Sequence, residues 1–212
     1  QLLSTVHDVP PDVAVLLAKP AGNEPDSTES AYVPRVGDYA ALHGEIAQME
    51  KTLGVRIIPV SRRPGDGLML RTRGAEKRFG DAELAKLVRL APFIVEAELA
   101  GTRVTDAGLS ALRSCSHLER LHLEHTVLTG ATLGELSALP GLTYLNLCAT
   151  SLTDEALPAL TKLTGLRKLY LFGSSVTQDG VDRLRTSLPH CQVGAIAVPK
   201  EYPPSALQSL SE

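Results

Sequence analysis

A spacing of 24 residues runs through the middle of this chain and limits what it can fold into. Four ungapped segments begin at Ile94, Leu118, Leu142 and Leu166. Positions 1, 4, 6, 11, 16, 19 and 22 of the unit are apolar in 27 of 28 cases. Ser187 is the exception, and Leu188 beside it points to a one-residue slip. A unit this short cannot bury its apolar side alone, so the units must stack.

The spacing within the unit says what each coil contains. Apolar positions 1, 4 and 6 with polar residues between them suit a short strand. Positions 16, 19 and 22 fall at helical spacing, as in Leu109, Leu112 and Cys115. Thr105-Asp106 and Thr153-Asp154 read as an N-cap followed by a carboxylate that the helix dipole favours. Each unit is therefore expected to be strand, turn, short helix.

These residues resemble the leucine-rich repeat family, L-x-x-L-x-L-x-x-(N/C/T)-x-L followed by a helical half. The resemblance is tight over 94–193 and extends weakly back to about 68. It implies an α/β fold, a right-handed solenoid with parallel strands on a concave side, short helices on a convex side and a helix-strand N-terminal cap. Position 9 carries Thr102, Thr126, Thr150 and Ser174, a hydroxyl ladder expected to bond the backbone of neighbouring coils. The T-D-x-G-L ending at Thr105–Leu109 is similar to a bacterial subgroup and to the repeats of F-box adaptors. The bacterial subgroup often forms the C-terminal module of extracytoplasmic proteins that also carry c-type cytochromes. The adaptors usually have longer repeats and paired cysteines, and no F-box-like helical segment is evident here, so the bacterial likeness is favoured. It implies a periplasmic or extracytoplasmic location and a cytochrome or membrane-complex subunit as partner.

Before the regular units, residues 68–92 read as an irregular coil, with Leu68–Leu70 as strand and Phe79–Leu84, Leu87 and Leu90 as helical half, one residue out of phase. Tyr39, Leu42, Ile46, Met49 and Leu53 predict an amphipathic helix between Asp38 as N-cap and Gly54 as terminator. Val55–Val60 then reads as a strand and Arg63–Gly67 as a turn. The expected organisation is an arm at 1–35, a cap at 36–67, repeats at 68–193 and a strand with tail at 194–212. The arm holds five prolines and the apolar run Val13–Ala18, read either as an anchor for a partner or as packing onto the cap. Gln1 leaves open whether a leader or a longer chain preceded it.

Composition narrows the chemistry. Val13–Ala18 is the longest apolar run, far short of the ~20 residues of a membrane helix, so a soluble chain is expected; separately, it is expected to be monomeric by itself. The formal charge of −3 gives no pull toward nucleic acid. Residues 56–89 carry net +5 against −5 in residues 1–55, and a self-complementary face is favoured because interleaved aromatics are missing. Three cysteines without a C-x-x-C make neither a disulfide framework nor a zinc site. Gly65-x-Gly67 is a turn rather than a phosphate loop. No cofactor is expected.

In a parallel stack, outward residues at equal positions form columns. Position 3 gives Glu96, Arg120, Tyr144 and Lys168; position 5 gives Glu98, His122, Asn146 and Tyr170; position 7 gives Ala100, Glu124, Cys148 and Phe172. The face is expected to run from acidic to basic and aromatic, with Tyr144, Tyr170 and Phe172 supplying three of the eight Phe and Tyr residues. Aromatics and Arg dominate interface hot spots, so Glu96, Glu98, Arg120, His122, Tyr144, Asn146, Lys168, Tyr170 and Phe172 are the candidate residues of a protein-binding site. A thin solvent face, or cover by arm or tail, is the alternative. An enzyme would have to rest on a metal at His122, His125, Glu98 and Glu124, or on a thiol at Cys148 with His122 as base. Neither catalytic nor metal residues are expected. Glu119 is expected to be exposed, and Cys115 to lie in the core.

Overall fold

The 24-residue period becomes the hydrogen-bond register of a sheet. In the computed structural model, which describes residues 36–195, seven strands lie in chain order. They are β1 (Arg56–Pro59), β2 (Leu68–Arg71), β3 (Ile94–Glu98), β4 (Arg120–His122), β5 (Tyr144–Asn146), β6 (Lys168–Tyr170) and β7 (Gln192–Gly194). From β3 to β6 the partners are 24 apart, as in Glu96, Arg120, Tyr144 and Lys168. β1 pairs antiparallel with β2, and all later pairings are parallel. The expectations for the arm, including Val13–Ala18, and for the tail after residue 195 lie outside the described residues.

All 27 apolar repeat positions are buried, forming one continuous aliphatic core. The slip at the end of the fourth unit is real: Ser187 is exposed and Leu188 buried. Each strand gives way to a left-handed residue at position 8, with φ of 66° at Gly101, 56° at His125, 52° at Ala149 and 72° at Gly173. Two of these four are not glycine, so the coil imposes the conformation against the ordinary preference of His and Ala.

The helical halves are thinner than the sequence predicts. A 3-10 turn at Asp106–Gly108 leads into α3 (Leu109–Leu112), and one at Asp154–Ala156 into α4 (Leu157–Leu160). The second unit has only a 3-10 segment, Leu133–Ala138, where Gly130 and Gly134 lower helix propensity. The last unit alone has a longer helix, α5 (Gln178–Ser187), and Thr177 caps it by accepting from the Gly180 amide.

Two polar ladders behave differently from expectation. The buried hydroxyls of Thr102, Thr126, Thr150 and Ser174 donate to the carbonyls of Leu99, Leu123, Leu147 and Leu171, three residues back in the same coil. They close their own turn rather than join neighbours. Thr150→Val should therefore cost about 1–2 kcal/mol in chemical denaturation, whereas Thr150→Ser should cost little. The aspartates do the joining. Asp106 lies in the first turn of its helical half, as read from the sequence, but its carboxylate crosses to the next coil and accepts from the Thr129 amide and hydroxyl and the Gly130 amide, at 2.8–2.9 Å. Asp81 holds Thr105 in the same way, and Asp154 holds Thr177.

The coil before the repeats contains β2 and α2 (Asp81–Ala85), whose Glu83 accepts from the Gly80 amide. Its register shifts: Leu68 faces Ile94, yet Leu70 faces Ala97, so this coil spans 27 residues between partners. Ahead of it, a 3-10 turn (Ala40–Leu42) precedes α1 (His43–Leu53) where one helix is predicted. Asp38 still receives a first-turn amide, that of Ala40, and Gly54 ends α1 in the left-handed conformation. Tyr39, Ile46 and Leu53 enter the common core. Part of the basic stretch is paired within the chain, through Arg56–Glu50, Arg89–Glu45, Lys86–Glu83 and Arg71–Glu98.

Candidate functional site

Alternation along each strand turns the even positions inward and leaves positions 3 and 5 on the open side of the sheet. Leu121, Leu145 and Leu169 are buried, while Arg120, His122, Tyr144, Asn146, Lys168 and Tyr170 are half-buried or exposed. The columns form as the spacing predicts. At the β7 end they continue in Gln192 and Gly194, and at the β2 end in Met69 and Arg71. Arg71, part of the basic stretch at 56–89, is not placed in this column by a 24-residue extrapolation, because the first coil has a 27-residue register.

Cross-strand pairing changes the electrostatics. Glu96 Oε1 lies 3.2 Å from Arg120 Nε and 3.3 Å from His122 Nε2. His122 Nδ1 is 3.9 Å from Glu124, and Arg71 Nε is 3.1 Å from Glu98. The acidic end is thus largely neutralised by its own neighbours, which corrects the expected acidic-to-basic gradient. Lys168 is exposed, and the strands around it, β5 to β7, carry no acidic residue.

What remains available is the ring system. The His122 and Tyr144 ring centroids are 4.8 Å apart, those of Tyr144 and Tyr170 5.6 Å, and those of Tyr170 and Phe172 6.3 Å with the planes 26° apart. The Arg120 guanidinium sits 4.3 Å from the Tyr144 ring centroid, a cation–π contact. Burial raises the Tyr144 hydroxyl above its ordinary value, and Tyr170, Glu124 and Cys148 add to the rise against Arg120, so it stays neutral as a donor. Gly194 makes room for the end of this run. A Cβ there would lie 2.9 Å from Tyr170 Cδ1 and 3.0 Å from Phe172 Cε2. Among the described residues, Phe172 is one of the few large apolar side chains that are exposed.

The catalytic arrangements are poorly supplied. Burial raises the Cys148 thiol above its ordinary value, and Glu124 raises it further against a backbone hydrogen bond from Phe172. Reactive thiols sit in electropositive surroundings, and this one has a carboxylate neighbour instead. His122 is engaged by two glutamates, and His125 is exposed on its left-handed turn. Among the described residues no three His, Cys, Asp or Glu side chains are grouped so as to hold a metal ion. Cys115 is buried in its leucine position, as expected. Glu119 is half-buried rather than exposed, and its backbone carbonyl accepts from the Thr143 and Tyr144 amides of the next coil.

No protein-family model matches the sequence, and no curated protein matches it significantly. Among solved structures, the chain is similar to a leucine-rich repeat protein of Leptospira interrogans, with 24% identity and a TM-score of 0.44, over 51% of this chain and 27% of that one. It is also similar to two internalins of Listeria monocytogenes. For internalin F the identity is 15% and the TM-score 0.38, over 61% of this chain and 41% of the other. For internalin C2 the values are 21% and 0.39, over 60% and 62%. The chain thus spans less than two thirds of the length of each of these proteins. The coil architecture stands on the register and burial described above. No helix among the described residues is long and apolar enough to cross a membrane.

Proposed function

We propose that this chain is a non-catalytic recognition or scaffold module that holds a partner protein against the open face of its sheet. Tyr144, Tyr170 and Phe172 supply the contact area, with Arg120 and Lys168 beside them and Glu96, Glu98, His122 and Asn146 completing the face. The observation that carries this reading is the contact run of His122, Tyr144, Tyr170 and Phe172 in a chain with only eight Phe and Tyr residues. Rigid aromatic side chains give large contact area at low entropy cost, which is why they anchor interfaces.

In the finer reading the stack is a right-handed leucine-rich-repeat solenoid, the hand that parallel crossovers almost always take. Residues 36–67 are its N-terminal cap: α1 packs on the core, and β1 covers the otherwise open edge of β2. The repeats then occupy 68–193, followed by a strand and tail. Sequence resemblance to the bacterial subgroup supports a partner in an extracytoplasmic, cytochrome-containing or membrane complex.

Gentle native purification of the wild-type chain, with identification of what accompanies it, tests this reading. Tyr170→Ala with Phe172→Ala should weaken partner capture at least about tenfold while the chain stays folded, with only a modest fall in unfolding midpoint from the lost ring contacts. Cys148→Ala with His122→Ala should leave any activity of the chain intact, whereas a thiol- or metal-dependent enzyme centred on these residues would lose it. Undiminished capture by the Tyr170/Phe172 variant would refute the proposed face.

A further inference from the structure

The first regular coil departs from its successors in volume. At position 4 the later coils carry Leu121, Leu145 and Leu169, but this one carries Ala97. At position 22 the next two carry Leu139 and Leu163, and this one carries Cys115. Both small residues are buried, and both line one recess of about 200 Å³ on the helical side, between the irregular 68–92 coil and the coil that starts at Ile94. Leu70, Leu84, Leu87 and Leu112 also line it, none more than 5% exposed, while Val88 at 59% stands at the rim.

The strand register steps by 27 residues into this coil and by 24 thereafter, while the helical halves stay joined through Asp81 and Thr105, so the missing volume lies in the small side chains themselves. A repeat that fills this layer with leucine elsewhere leaves it open here.

We propose that this recess binds one small uncharged apolar molecule. Its wall is hydrocarbon apart from Ser114, which is exposed, and the Cys115 thiol. Burial pushes that thiol up to about 12, so it stays neutral. The floor of the recess offers water no polar side chain but the Cys115 thiol, while Ala85, Val88 and Ser114 leave its mouth open to solvent, so a guest can enter without the fold opening. An apolar cavity of roughly 150 Å³ lined by Leu, Ile and Phe stays dry and admits benzene or xenon. The present recess is somewhat larger, so a single substituted ring fits. Such a guest restores the dispersion contacts that the missing leucine carbons would have made.

The test uses the full chain with toluene as probe. Toluene should raise the wild-type unfolding midpoint by about 2–4 °C, since a ligand that binds only the folded state stabilises it. Ala97→Leu with Cys115→Leu should fill the recess and abolish that rise. No rise in the wild type, or an equal rise in the filled variant, overturns the proposal. Xenon-pressurised crystals of the wild-type chain give a second measurement that does not depend on the variant folding. A xenon peak among Leu84, Leu112 and Cys115 is expected; ordered water there, or a recess empty under xenon, overturns the proposal.

Discussion

Leu147→Ala should destabilise the chain by about 2–5 kcal/mol in urea denaturation, with Leu123→Ala in the same range. Both side chains are fully buried at position 6, behind the open face. Truncation removes transfer energy and leaves a cavity that the flanking coils, themselves built from leucine, can only partly close. A domain's whole stability is typically about 5–15 kcal/mol, so one such change removes a large share of it. In a stack, each coil's stability also depends on its nearest neighbours, so loss at a central coil weakens both adjoining interfaces. Arg113→Ala, on an exposed position, should stay within about 0.5 kcal/mol. Glu119, half-buried, is not a clean control. Equal losses at Arg113 and Leu147 would undo the assignment of faces.

The core was legible because its signal is redundant. Seven apolar positions recur four times, and a single slipped residue, Ser187, was enough to locate the shift to Leu188. The columns were legible for the same reason: an exact period in sequence becomes a fixed register in a parallel sheet. That logic stops at the first coil, where the shift between Leu68 and Met69 hides Arg71 from any 24-residue extrapolation. Helix content was overestimated because apolar spacing does not distinguish a 3-10 turn from an α-helical one.

Side-chain direction was the least legible feature. The 24-residue spacing placed Glu96 and Arg120 in one column, but did not show that Glu96 would turn to both Arg120 and His122 and neutralise that end of the face. The ring contacts were half visible. Register alone sets Tyr144 opposite Lys168 and Asn146 opposite Tyr170, so the Tyr144–Tyr170 contact is diagonal and depends on where the rings lean. The space above Gly194 helps to settle that lean. The hydroxyls of position 9 and the aspartates exchange their expected roles for a geometric reason. A hydroxyl at position 9 is near the carbonyl that ends its own strand, whereas the longer carboxylate reaches the amides of the adjacent coil.

Asp106→Ala should cost about 3 kcal/mol, and Asp106→Asn less, because the amide keeps one acceptor oxygen. The carboxylate takes hydrogen bonds from the Thr129 amide and hydroxyl and from the Gly130 and Thr132 amides, and each bond to a charged group contributes roughly 1.5–3 kcal/mol before neighbours readjust. Burial alone would raise the carboxyl, but these donors outweigh it and hold Asp106 below its ordinary value of 3.8. A depressed folded-state value means that the stabilisation is fully present above the unfolded-state value and fades as pH falls through the folded one. The gap between wild type and Asp106→Asn, measured by denaturation from pH 6 downward, should therefore hold near neutrality and shrink below about pH 4. A gap that widened on acidification would mean that the charge is not what ties the coils. The next interface supplies an internal contrast. Gly130 stands where that carboxylate would be, Thr153 receives none, and a Cβ at Gly130 would lie 2.5 Å from the Ala156 Cβ. The second and third coils are joined by packing and backbone bonds such as Ser151 N–H to Leu128 C=O, so removing Asp106 should make the first interface exchange amide protons more like the second.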